Sequence, residues 1–353
     1  MNIPERMKHF NVPGVSATYF ADGQIRHSKH FGTREKGTDK AVNDNTIFHA
    51  CSISKMITAI CTLRMAQYGE LDLHKDVNDY LTSWKVPATN KKVTLANILA
   101  HQAGFCDAAG SFGHWKNGDA APSPADILKG ITPYNPVEAS PMYEPETNCE
   151  YSDAGYCIIS QVFMDVLGET IPQAAERIIS KTLGLKRTFF WEPGKDEYSN
   201  ITLEDCAVGH DNDGEIVDEI RAAYPNIEGA GLWSTTRELA CIVIDLIKSY
   251  NGEGGLILSQ EMARLMLSPY GCDDNQGLGV FLDKDKNGQP YFFSQGWGIG
   301  MQCKLRAYYQ GQNGVVVMTN SEPGMEQDEA LVGEIIEYVC KEHGRNTLTE
   351  FVG

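Results

Sequence analysis

The chain predicts an α+β fold: one antiparallel sheet flanked by helices, with a mostly helical lobe carrying long loops. Three observations predict it. Strand-like runs lie near the N-terminus and through the last third, helical periods fill the middle, and 353 residues with 42% apolar and 22% charged side chains suffice for a sizeable core. The sheet is therefore expected to draw strands from both chain ends. Residues 1–65 and 230–353 form the predicted α/β sandwich lobe and 66–229 the helical lobe of a single unit, with a cleft between the lobes.

The elements follow in order. Val15–Phe20 reads as a strand, Asp22-Gly23 supplies turn chemistry, and Ile25–Phe31 returns as the second arm of a hairpin. From Ile53 to Gly69, Met56, Ile57, Ile60, Leu63 and Met65 recur close to a helical period, and Gly69 is a natural C-terminal stop. Asp76–Leu81 and Val93–His101 read as short helices. Gly104–Pro145 is rich in Gly, Ala, Pro and Asp and reads as loop. Ala154–Leu167 and Ile171–Leu183 are two further helices, and Leu239–Tyr250, apolar almost all round, predicts a buried one. Gly279–Leu282, Tyr291–Phe293, Met301–Tyr309 and Gly314–Thr319 read as strands, and Ala330–His343 as a closing helix.

A formal net charge of -17 argues against nucleic acid, because phosphate binding needs a basic face, and against an anionic membrane surface. No stretch of about 18 apolar residues is present to span a bilayer. The first residues lack a basic flank followed by an apolar run, so no secretory signal is expected. None of the ten cysteines falls in a C-x-x-C pair, which argues against zinc. Several sit in apolar runs (Cys61, Cys157, Cys241), where a thiol acts as a small hydrophobe. Reduced thiols and a cytoplasmic location are the expectation, with no metal and no cofactor.

Ser52-Ile53-Ser54-Lys55 is the one S-x-x-K in the chain. At a helix start, positions i and i+3 share a face, so hydroxyl and amine can meet beside the unpaired N–H groups of the first turn. A free lysine titrates near about 10.4, and lowering it to about 7 costs about 4 kcal/mol, within reach of burial. Ser54 is equally suited to capping the helix start. His49 and His101 lie close by, but a histidine in an apolar element is more often core than catalyst. Trp115, Trp233 and the region of Tyr143 have the composition of a pocket lining, though aromatic core is the commoner fate. No G-x-S-x-G, Walker loop or H-E-x-x-H occurs.

With this helix, further segments resemble the serine β-lactamase and penicillin-binding-protein superfamily over nearly the whole chain. Leu71–Leu81 and Val93–Phe105 are similar to the segments after the nucleophile helix, and Tyr151-Ser152-Asp153 resembles the second motif, Y-x-N. Glu228–Leu239 is similar to the G-G-L-x-S-T segment, and Phe292–Gly300 resembles the third-motif strand, followed by Val315–Asn320. The subgroup suggested is the class C-like one, with esterases and D-aminopeptidases. The resemblance implies Ser52 as nucleophile, Lys55 and Tyr151 as proton-transfer partners, and the N–H groups of Ser52 and Trp297 as the oxyanion hole, with Ser294, Gln295, Gly296 and Asp153 around the substrate.

Two departures stand out. Asp153 replaces the usual Asn, and a carboxylate cannot donate to a substrate amide unless protonated; it is placed instead to pair with Lys55 and keep it charged, which weakens the lysine as a base. Ser294-Gln295-Gly296 lacks the cation that opens the usual third motif, so a carboxylate-bearing β-lactam or peptide end is a poor match. The expectation is a serine hydrolase forming an acyl-enzyme on a small carbonyl substrate (ester, amide or lactone), and not an efficient β-lactamase. An acyltransferase, or a catalytically weak binding or sensing member of the fold, is the alternative.

Overall fold

A computed structural model of the chain describes residues 1–115, 121–192, 201, 203–217 and 223–341. The predicted hairpin is β1 (Gly14–Ala21) and β2 (Gln24–Gly32), whose register slips between Tyr19 and Phe20. β9 (Asn313–Thr319) lies antiparallel against β1 and so brings the last third of the chain beside the first thirty residues. With β6 (Phe281–Lys284), β7 (Pro290–Gly298) and β8 (Met301–Tyr308) they form a sheet of order β2-β1-β9-β8-β7-β6. A second sheet of order β3-β5-β4 joins β3 (Phe48–Cys51), β5 (Leu232–Ser234) and β4 (Phe189–Phe190).

The unbroken apolar run of β9 has a structural reason: both faces of the large sheet are covered. Val315 and Val317 pack with Ile335 and Ile336 of α11 (Leu331–Lys341), whereas Val316 and Met318 face the larger core that holds α2 (Ser54–Gln67) and α9 (Thr236–Asn251). Residues 342 and 343 of the predicted closing helix lie outside the described residues. α2 is buried on nearly every side, including Lys55, Thr58 and Thr62, so its one-sided apolar period understated how deeply it sits. Strand limits also differ from expectation. The 279–282 strand lies two residues further on, as β6, and the 291–293 strand lengthens into the nine residues of β7.

Short elements escaped the sequence patterns. α1 (Ile3–His9) spans only seven residues, with Asn2 as its cap. The 104–145 segment holds α4 (Pro124–Leu128), announced only by Ser123 as cap and proline in the first turn. The 76–81 helix is a three-residue 3-10 turn, and the 93–101 helix contracts to α3 (Leu95–Leu99), closed by a Thr94–Asn97 capping box. α5 (Asp153–Val162) continues through a π-turn to Leu167 and ends at Gly168. α6 (Ile171–Ala175), α7 (Lys181–Leu183), α8 (Ile227–Ala230) and α10 (Gln260–Met266) complete the helical set. Among the described residues, no helix is long and apolar enough to cross a membrane.

Candidate active site

β3 ends at Cys51, whose φ of 48° is a left-handed conformation costly for a residue with a Cβ. The chain then turns sharply, with Ile53 N donating to Ala50 O at 3.1 Å and Lys55 N to Ser52 O at 3.0 Å. Regular helix begins at Ser54, so Ser52 stands half-buried on the elbow between strand and helix, one turn ahead of Lys55. Ser54 locks that elbow rather than facing substrate: its hydroxyl donates to Cys51 O at 2.5 Å and accepts from Leu232 N at 2.9 Å.

Lys55 is 3% exposed. Its ammonium has three N–H groups and meets three acceptors: Asp153 Oδ1 at 2.6 Å, Gly229 O at 3.0 Å and Ser52 Oγ at 3.4 Å. The nitrogen also lies 4.7 Å from the centre of the Tyr151 ring. Burial pulls the ammonium toward neutrality, but Asp153 and Tyr151 outweigh it and hold Lys55 well above the ordinary lysine range. Burial alone therefore does not make Lys55 a neutral base; the pairing of Asp153 with the lysine that the sequence offered is present.

Tyr151 comes from the segment leading into α5. Burial raises its phenol, while the Lys55 charge and hydrogen bonding with Lys55 and Ser52 pull it back without cancelling the rise. Its ring is packed at 4.5 Å from that of His101, whose Nδ1 accepts from Ser152 N at 3.3 Å. Burial and the Lys55 charge push His101 down to about 3, so it is a neutral prop for the tyrosine and not a proton carrier. Asp107 anchors the start of α5 from across the loop, accepting from Ser152 Oγ at 2.9 Å, Asp153 N at 2.6 Å and Ala154 N at 3.2 Å.

α8 closes the far side of the lysine. Asn226 Nδ2 donates to Asp153 Oδ1 at 2.9 Å. At Gly229 a Cβ would stand 2.8 Å from Asp153 Oδ1 and 3.3 Å from Lys55 Nζ, so a side chain there would displace the ion pair. Glu228, 3% exposed, presents its backbone carbonyl to Thr58 Oγ1 at 2.8 Å, and burial pushes its carboxyl up to about 6. Asp107 and Asn226 were not singled out from the sequence, and Glu228 and Gly229 entered there only as part of a motif segment, with no role given. Their partners are 45 to 174 residues distant.

β7 forms the opposite wall. Its pairing with β6 stops at Phe293, so from Ser294 onward one edge pairs with no strand among the described residues. β7 and β8 close through the two residues Ile299-Gly300, with Gly298 facing Met301. Hydrogen-bonding direction alternates along such a pair, so the N–H of Trp297 faces the open edge. Gly296 permits the close approach to the nucleophile elbow: a Cβ there would stand 2.4 Å from Ala50 O and 2.8 Å from Cys51 Cβ.

The third-motif side chains divide between faces. Ser294 is buried on the same side as Gly296. Gln295 and Trp297 point the other way, with Lys304 and Phe293; Lys304 stacks over Phe293, and Trp297 Nε1 donates to Glu322 Oε1 at 2.9 Å. His49 is a buried prop, bonded to Ala230 O at 2.5 Å and stacked between Tyr224 and Trp233. Trp233 is 1% exposed and belongs to the core, as do Trp115 and its contacts with Ala223 and Tyr134.

Comparison with known proteins gives the family and the fold. The family described as Beta-lactamase matches residues 2–338. The putative penicillin-binding protein PbpX of Bacillus subtilis (strain 168) is 24% identical over 282 residues, covering 79% of this chain and 64% of that protein. Penicillin-binding protein 4 of Amycolatopsis lactamdurans is 26% identical over 187 residues, covering 52% of this chain and 46% of that protein. The chain thus spans less than two thirds of the length of these two relatives. Two solved structures show the same fold. The octameric penicillin-binding protein homologue from Pyrococcus abyssi has a TM-score of 0.77 at 20% identity over 99% of this chain and 77% of that one. The β-lactamase/D-alanine carboxypeptidase from Pseudomonas syringae has a TM-score of 0.73 at 17% identity over 97% of both chains. A serine elbow, its lysine and a tyrosine gathered between a helical lobe and an edge strand, matched from end to end by one family, make this chain a member of the β-lactamase family.

Proposed function

We propose that this protein is a serine hydrolase that works through an acyl-enzyme on an ester, amide or lactone. The observation that carries the reading is the meeting of Ser52, Lys55 and Tyr151, with the ammonium 3.4 Å from the serine oxygen and 4.7 Å from the centre of the Tyr151 ring. Ser52 Oγ attacks the carbonyl carbon as its proton passes to the Tyr151 oxygen in its phenolate form; the cationic Lys55 stabilises that phenolate before the transfer, and the negative charge ends on the carbonyl oxygen. The N–H groups of Ser52 and Trp297 receive the oxyanion, and Tyr151 returns the proton to the leaving group. Water, deprotonated by the same tyrosine, then releases the acyl group. Tyr151 titrates above its ordinary value, so at pH 7 its phenolate is a minor population, whereas Lys55 is held in the cationic form that the step uses.

The Lys55–Asp153 ion pair supports a second reading, a binding or sensing member that acylates slowly or not at all. One experiment separates them. Wild type and Ser52→Ala are compared on 4-nitrophenyl acetate, and a fluorophosphonate probe is located by intact mass and peptide mapping. Hydrolysis lowered at least a thousandfold by Ser52→Ala, with the label on Ser52, is the expected result. Equal background rates in both proteins, or a label elsewhere, would end the hydrolase reading.

A further inference from the structure

The second-motif carboxylate has a use beyond holding Lys55. Asp153 Oδ1 takes both Lys55 Nζ and Asn226 Nδ2, whereas no donor among the described residues reaches Oδ2, and the side chain keeps 21% of its surface exposed. The distances of 3.4 Å and 2.6 Å to the shared Nζ leave Ser52 Oγ and Asp153 Oδ1 no more than 6.0 Å apart. An acyl carbon seated on Ser52 carries an α-amine about 2.5 Å away by bond geometry, which puts that amine within hydrogen-bond reach of the carboxylate.

The charges around the serine agree. Lys55, the cation of the catalytic group, is neutralised by Asp153, while Asp107 and Glu228 add carboxylates around Asp153. Ser294 brings no cation to the facing strand, and the side chains of Gln295 and Trp297 lie on its other face. A substrate carboxylate thus finds no counter-ion among these groups, whereas an ammonium finds a free acceptor oxygen.

Resting on the hydrolase reading, the geometry points to Asp153 as the specificity-determining residue of this site, selecting acyl groups that carry a protonated amine next to the carbonyl, as in amino-acyl esters and amides. Ionic hydrogen bonding of this kind changes kcat/KM by about tenfold to hundredfold.

The test uses matched phenyl esters of alanine (cationic), N-acetylalanine (neutral) and N-succinylalanine (anionic), in both configurations. kcat/KM is measured at pH 6.5 and at pH 9, where the amine is largely neutral. Wild type is expected to favour the cationic over the anionic ester by at least tenfold at pH 6.5 and to lose that preference at pH 9. In Asp153→Asn the ratio should fall to within threefold whatever the absolute rate, a change that a purely structural residue would not produce. Equal rates for the three charges, or an anionic preference, in a protein whose turnover still depends on Ser52 would overturn this inference alone. No Ser52-dependent turnover of any ester would overturn the hydrolase reading beneath it. Should Asp153→Asn fail to fold, the wild-type ratio and its pH dependence still decide.

Discussion

The two walls facing Ser52 are built on different principles. The wall of Tyr151, Asp153 and α8 is a lattice of side chains: a lysine, three carboxylates, an asparagine and a neutral histidine lie within a few hydrogen bonds of each other. The β7 wall contributes backbone; Gln295 and Trp297 point away, and on the near face the side chains are the small Ser294 and Gly296, which lets the strand approach the elbow. Charge placement on the first wall is thus set by residue identity, whereas N–H placement on the second is set by register and pleat.

The contrast can be broken most severely at Gly296. A Cβ there meets Ala50 O at 2.4 Å and Cys303 Sγ at 2.7 Å, both held by the core. Gly296→Ala should push β7 off the elbow, lowering kcat/KM at least hundredfold and stability by about 1–3 kcal/mol. A variant with wild-type kinetics would show that β7 backbone position is not what matters.

The side-chain wall is probed next through Glu228. Its folded carboxyl titrates at about 6 against 4.5 for the free group, so the unfolded chain loses this proton first as pH rises. Native stability therefore declines between about pH 4.5 and 6, by about 2 kcal/mol, and stays lower above. Glu228→Gln removes the titration. Urea unfolding should show the variant gaining about 1–2 kcal/mol on wild type at pH 8 relative to pH 4.5. A difference that is flat with pH would rule out a buried charge at this position.

The smallest effects are expected from Trp297→Phe and Gln295→Ala, which alter side chains on the outer face of the sheet. Loss of the Trp297–Glu322 bond should cost about 0.5–1 kcal/mol, and kcat/KM should stay within threefold in both variants. A tenfold loss of activity in either would place that side chain in the cleft and contradict the pleat.

Legibility followed the same division. The pair Ser52 and Lys55 was readable because a single helical turn joins them, and Tyr151 was found through its motif resemblance. The strands β1, β8 and β9 were readable from their β-rich runs bounded by turns, and β2, mostly polar, as the return arm of the Asp22-Gly23 turn. α1 and α4 were too short for a period to show, and the edge position of β7 depends on where β6 stops pairing. Asp107 and Asn226 had no local mark, since each matters only through partners that folding brings near.

By itself the sequence determined the sheet drawn from both chain ends, the buried middle helices and the serine–lysine spacing, because these depend on periodicity and on contacts within a turn. Tertiary structure alone decided the charge state of the lysine and the facing of the third-motif side chains. A buried ammonium is governed by whichever carboxylate lies beside it, and a strand's side chains are sorted by register, so both answers come from neighbours distant along the chain.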